Sequence, residues 1–250
     1  MRTQPGRAVF CAMSLLVAPA CSPRGAHAPL IRPAIPAAPA RSSVLWAEPF
    51  DLLSPERWRE VEVRGTTQYE AVTVDGRACV RARSEDGASI LLSALDFDPD
   101  TFEWLTWSWR VDELVEGEAL QEQQGSDAAA RLYVYFASGG LPWQKRNLDY
   151  VWSAHLPVGT VLDSAFTPLS KIVVVESGRS ALGRWRTVQR NLEEDYEKAF
   201  GEDAPNVVAI GLMTDTDSTG GRALAYFDDL QISRKPVPFE HPADPGAARR

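Results

Sequence analysis

The stretch Phe102-Glu-Trp-Leu-Thr-Trp-Ser-Trp-Arg-Val-Asp112 alternates residue by residue. Leu105, Trp107, Trp109 and Val111 fall on one side, and Thr106, Ser108, Arg110 and Asp112 on the other. A period of two is what an extended strand imposes; a helix would scatter these rings around its axis. The first set reads as a core face. Working outward, Leu132, Val134 and Phe136 alternate in the same way with Arg131, Tyr133 and Tyr135. Further short apolar or alternating runs lie at 58–64, 69–75, 77–84, 88–94, 149–155, 171–176, 184–190, 206–213 and 222–233, broken by Gly, Pro, Asp and Asn. Val74-Asp-Gly-Arg77 reads as a tight hairpin turn, because Asp-Gly tolerates positive φ. Strands do not alternate with helices, so a parallel βαβ sheet is not expected. The expected fold is mainly β: an antiparallel sandwich over 46–234.

One helix breaks the pattern. Asn191 can cap it, with Glu194 three residues on, and Glu193 and Asp195 suit its positive end. Leu192, Tyr196, Ala199 and Phe200 share a face, and Gly201 stops it. The spacing predicts a short helix covering one end or edge of the sandwich.

The flanks differ in character. Arg2 and Arg7 precede an apolar run from Ala8 to Val17, then Ala18-Pro-Ala-Cys21. Positive charge, a short apolar core and small residues make a secretory signal over 1–21. Cys21 stands where the lipid-accepting cysteine of bacterial lipoprotein signals stands, and Ser22 after it leans toward the outer membrane. Simple cleavage after Ala20, giving a periplasmic or secreted protein, is the alternative. Residues 22–45 carry Pro23, Pro29, Pro33, Pro36 and Pro39, a linker composition. Residues 235–250 repeat that character and read as a disordered tail.

Composition narrows the chemistry. Of 250 residues, three are His and three Cys. Only His155 and Cys79 fall inside the domain, so a His/Cys zinc site lacks ligands and a nucleophilic triad has no motif. A net charge of −8 argues against a nucleic-acid partner.

Candidate chemistry sits in four places. The Arg131, Tyr133, Tyr135 face is no ordinary solvent coat, and Tyr150 and Trp152 share a face on a neighbouring run; with Arg110 these could form one aromatic and basic surface, or be a second core under a loop. Asp127 and Glu176 could pair with Arg110 or Arg131 as register-fixing ion pairs, or act as the two carboxylates of a polysaccharide-cleaving enzyme. Asp215-x-Asp217-x-Thr219-Gly220 offers oxygens at alternate positions, like the start of a calcium loop, but Tyr226 stands where such a loop needs Glu; a polar turn is the other reading. Trp143, on a Gly/Pro loop, suits stacking on a sugar or plugging its own loop.

Several motifs together resemble a known family: Trp107-Ser-Trp-Arg-Val111, Ser126-Asp127 with Arg131-Leu-Tyr-Val134, Tyr150-Val-Trp-Ser153, Val175-Glu-Ser-Gly178, Arg190-Asn191 with Asp195-Tyr196, Met213-Thr-Asp-Thr-Asp217, and Ala225-Tyr-Phe-Asp-Asp229. In that order they are similar to the bacterial domain-of-unknown-function 3047 family of exported proteins. Ser218 departs from the Asn usual there. The resemblance implies the fold and export and assigns no activity. The ending Tyr226-Phe-Asp-Asp-Leu-Gln-Ile232 also resembles the last strand of jelly-roll carbohydrate-binding modules, a likeness of fold that transfers no function. The sequence therefore puts a non-catalytic envelope module for a glycan or similar polar ligand first. A polysaccharide hydrolase or lyase and a structural or partner-docking protein are its alternatives.

Overall fold

The computed structural model describes residues 43–138 and 145–238. In chain order the strands are β1 (Val44–Glu48), β2 (Arg59–Arg64), β3 (Thr67–Val74), β4 (Arg77–Glu85), β5 (Ala88–Phe97), β6 (Trp104–Glu113), β7 (Ala130–Phe136), β8 (Asn147–Ser153), β9 (Val161–Asp163), β10 (Ser170–Ser177) and β11 (Arg186–Asn191). The helix α1 (Leu192–Phe200) follows, then β12 (Val207–Met213) and β13 (Arg222–Ser233). They form two sheets. One has the order β11-β6-β13-β4-β3, with β1 also paired to β13; the other has the order β2-β5-β12-β7-β8-β10-β9.

The long strand β13 pairs with β6 on one edge and is shared between two strands on the other. Its first half pairs with β4 and its last residues with β1, and the register breaks where Asp229 takes φ 50°. β1 reaches back to Val44, inside the expected linker. Neither β1 nor the three-residue β9 was expected. The pair β8–β10 is parallel, although no helix joins them; the crossover is the segment 154–169, which carries β9.

The two sheets close on an aromatic layer. Trp107 and Trp109 from β6 meet Tyr150 and Trp152 from β8, with centroids 5.3 and 6.1 Å apart. Each such ring buries about 150–250 Å², so it contributes about 4–6 kcal/mol before entropy. The indole N–H groups of Trp107 and Trp109 are buried without an acceptor. That costs about 1–3 kcal/mol each, less than the rings return, so the layer remains net stabilising.

The helix forms as its caps dictate. The Asn191 side chain accepts from the Glu194 N–H at 3.0 Å, and Gly201 ends the helix at φ 75°. Its apolar face plugs the sandwich: Tyr196 packs on Phe136 with centroids 4.5 Å apart. The 74–77 hairpin also forms as read, with Asp75 and Gly76 at φ 53° and 81°.

Candidate binding face

β7 carries the residues that did not look like solvent coat, and the register shows what surrounds them. Leu132, Val134 and Phe136 point into the core. Arg131, Tyr133 and Tyr135 point outward, opposite Val151, Asp149 and Asn147 of β8 and Met213, Gly211 and Ala209 of β12. Beyond β12 the same face continues through Ile90, Leu92 and Ala94 of β5.

This register corrects the expectation of one surface. Tyr150 and Trp152 sit opposite Leu132 and Ala130, so they share the core side and are fully buried. Alternation along β8 leaves Asn147, Asp149 and Val151 to share the face with the tyrosines. Arg110 is on the other sheet; it binds Asp112 at 2.6 Å and Asp75 at 2.7 Å and lies over Tyr226. The expected ion pairs differ too. Glu176 accepts from Arg186 at 2.7 Å, and Asp127 accepts from the backbone N–H groups of Ser218 and Thr219. Asp127 and Glu176 share no partner and no cavity among the described residues. Trp143 lies outside the described residues.

The outer face is divided. Over β8 and β10 it is closed: Val151, Ile172 and Val174 pack beneath Leu120 and Ala128 of the preceding loop in a second small core. Over β7, β12 and β5 solvent reaches it. Tyr133 and Tyr135 are half-buried there, their rings 23° from parallel with centroids 5.7 Å apart. Gly211 is required beneath them. An added Cβ would come within 2.8 Å of Ile90 Cγ2 and 3.5 Å of the Tyr135 ring. Burial, and in each case the nearby Asp149 charge, holds both phenols above the usual range, so they stay protonated and can donate.

At the border between the closed and open halves lies a buried ionic cluster. Arg131, 2% exposed, puts Nε on Asp215 Oδ1 at 2.9 Å, Nη1 on Asp149, and Nη2 on the Ser126 carbonyl at 2.6 Å. Burial pushes Asp149 up to about 6 and Asp215 up to about 7 against the pull of Arg131. The Asp149 Oδ1 is buried with no partner.

Asp215 and Asp217 come together with Asp127, their carboxylate oxygens within 4.8 Å of one another. Much of their accepting capacity is taken: Asp127 by two backbone N–H groups, Asp215 by the Ala128 N–H at 3.0 Å and by Arg131. A divalent ion here would face a guanidinium already on one of its ligands. The Thr219 hydroxyl is buried without a partner. Asp149 and Asn147 were missed from the sequence. The signal was there: once Tyr150 and Trp152 are core, the residues between them must be the outer face.

The family model for DUF3047, a protein of unknown function, matches residues 56–231. No curated protein matches the chain. Among solved structures the chain is similar to the family 11 carbohydrate-binding module of the cellulosomal cellulase Lic26A-Cel5E of Clostridium thermocellum, at 10% identity over 80% of this chain and 100% of that one, TM-score 0.40. It is also similar to the CBM22-1 xylan-binding domain of Paenibacillus barcinonensis Xyn10C, at 14% identity over 78% and 96%, TM-score 0.37. A third is the family 11 xylanase of Neocallimastix patriciarum, at 10% identity over 70% and 90%, TM-score 0.39.

Proposed function

We propose, from the premise that the chain belongs to the DUF3047 family, that its sandwich is a non-catalytic module that binds a polysaccharide on the open half of the seven-stranded sheet. The observation that carries the reading is the Tyr133–Tyr135 pair. Two near-parallel, half-buried rings with protonated hydroxyls stand on a rigid sheet beside Leu92 and Ala94. Amphipathic rings of this kind offer an apolar face to sugar C–H groups and a donor to sugar hydroxyls. The core beneath fixes them, so little side-chain entropy is lost on binding.

The carboxylates do not favour catalysis. Asp127 holds a backbone turn and Glu176 holds an arginine. Neither faces the other across a space for a sugar, as acid/base cleavage requires.

Binding of the purified full chain to an array of envelope and plant polysaccharides tests the proposal. Tyr135→Ala should weaken binding two- to tenfold, the loss of about 0.5–1.5 kcal/mol from one aromatic contact. Silence across the array, or unchanged binding by the variant, refutes it. We further propose that the module is exported and held at the envelope through a lipid on Cys21. Labelling with a radioactive fatty acid tests this: label should enter the protein and vanish in Cys21→Ser. No residue of the described part forms a helix long and apolar enough to cross a membrane.

A further inference from the structure

The two sheets part along one side, where β11 edges the first and β10 approaches it from the second. A cavity of about 250 Å³ opens between them. Six valines line its apolar side, among them Val173, Val175 and Val188; its charged lining is Glu176, Arg186, Arg190, Asp195 and Lys198. Both carboxylates are already neutralised. Arg186 Nε sits on Glu176 at 2.7 Å and bridges the two sheets. Arg190 grips Asp195 with Nε at 2.7 Å and with Nη2, while the Tyr150 hydroxyl donates to the same carboxylate at 2.8 Å.

That leaves an excess of positive charge. Three cations face two paired carboxylates, in a chain of net charge −8. Lys198 is exposed. Arg186 spends one N–H of its five on Glu176. A guanidinium held in place by a carboxylate presents its remaining donors in a planar fork that matches an anionic carboxylate or phosphate. The volume lies below the roughly 300–1,000 Å³ of ordinary ligand pockets, so it suits one ring rather than a chain segment. The valines offer that ring an apolar wall.

We propose that this inter-sheet cleft binds the carboxylate of a single acidic sugar, a hexuronate residue, with Arg186 and Lys198 as its anion contacts. The site is separate from the Tyr133–Tyr135 face; only the sugar part of the ligand rests on the glycan reading.

Ligand-observed NMR titration of the full chain with sodium glucuronate tests it, with glucose and inorganic phosphate as controls. Glucuronate should bind and glucose should not. Lys198→Gln should weaken glucuronate two- to fivefold, as expected for one exposed charged contact, and Lys198→Arg should restore it. Arg186→Gln, which also unmasks Glu176, should cost at least tenfold. Binding should weaken with added salt. Equal binding of glucose, binding of phosphate as tight as glucuronate, no binding of glucuronate, or indifference to Lys198→Gln each overturns the assignment. Tyr135→Ala should leave glucuronate affinity unchanged. Polysaccharide binding weakened by Tyr135→Ala reports the sheet face, and glucuronate binding weakened by Lys198→Gln reports the cleft, so the failure of one is distinguishable from the failure of the other.

Discussion

Replacing Arg131 with Met should show how much of this domain hangs on one buried cation. The guanidinium is 2% exposed and donates to Asp149, Asp215 and the Ser126 carbonyl. Methionine fills most of its volume and removes every donor. At pH 7.5 two carboxylates would then be buried with no countercharge, and breaking a buried pair from one side costs about 3–5 kcal/mol. For a domain of this size, at about 2–4 °C per kcal/mol, the melting temperature should fall by about 6–20 °C. The loss should depend on pH. Both carboxylates titrate in the fold well above their ordinary value of 3.8, at about 6 and about 7. The folded state therefore holds more protons than the unfolded chain between pH 4 and 7, so wild-type stability falls as pH rises through that window. In the variant the carboxylates lose their cation and hold their protons still more firmly. At pH 5 they are neutral, and the loss should shrink to the cost of the missing hydrogen bonds, about 1–3 kcal/mol. Adding Asp149→Asn and Asp215→Asn to Arg131→Met should recover part of the stability at pH 7.5. Calorimetry at pH 5.0 and 7.5 reads all of this. A loss below about 1 kcal/mol at pH 7.5, or the same loss at both pH values, would refute the reasoning.

Three smaller perturbations check other parts of the structure. Asn191→Ala removes the acceptor for the Glu194 N–H and should cost about 1 kcal/mol by denaturant unfolding, with the slope unchanged. Gly211→Ala drives a Cβ to within 2.8 Å of Ile90 and should cost about 1–3 kcal/mol, with near-ultraviolet circular dichroism changed by the displaced Tyr135 ring. Millimolar calcium should leave the melting temperature within about 1 °C, because Asp127 and Asp215 already serve N–H donors and Arg131; a rise of several degrees, lost in Asp217→Asn, would mean that an ion displaces those donors.

What could be read from the sequence follows from how local each signal is. The alternation of Trp107 and Trp109, the Asp75-Gly76 turn and the Asn191 and Gly201 caps are set by neighbours within a few residues, and all stand where local rules put them. The face was harder, because a strand's period says which residues share a side but not which side is in. β8 makes the point: Tyr150 and Trp152 alternate with Asp149 and Val151, and only the register against Leu132 and Ala130 assigns the aromatics to the core. Burial statistics pull the same way, since large rings are buried far more often than carboxylates. What overrides that statistic at Asp149 is Arg131, 18 positions away, which makes a buried carboxylate tolerable. The cleft is more distant still. Glu176 meets Arg186 across two sheets, and β10 enters through an unexpected parallel pairing with β8. A site assembled from strands of different sheets leaves no periodic trace in either strand. Arg186, Arg190 and Lys198 therefore read in sequence as ordinary surface charges, and become a binding proposal only when the fold sets them around one cavity.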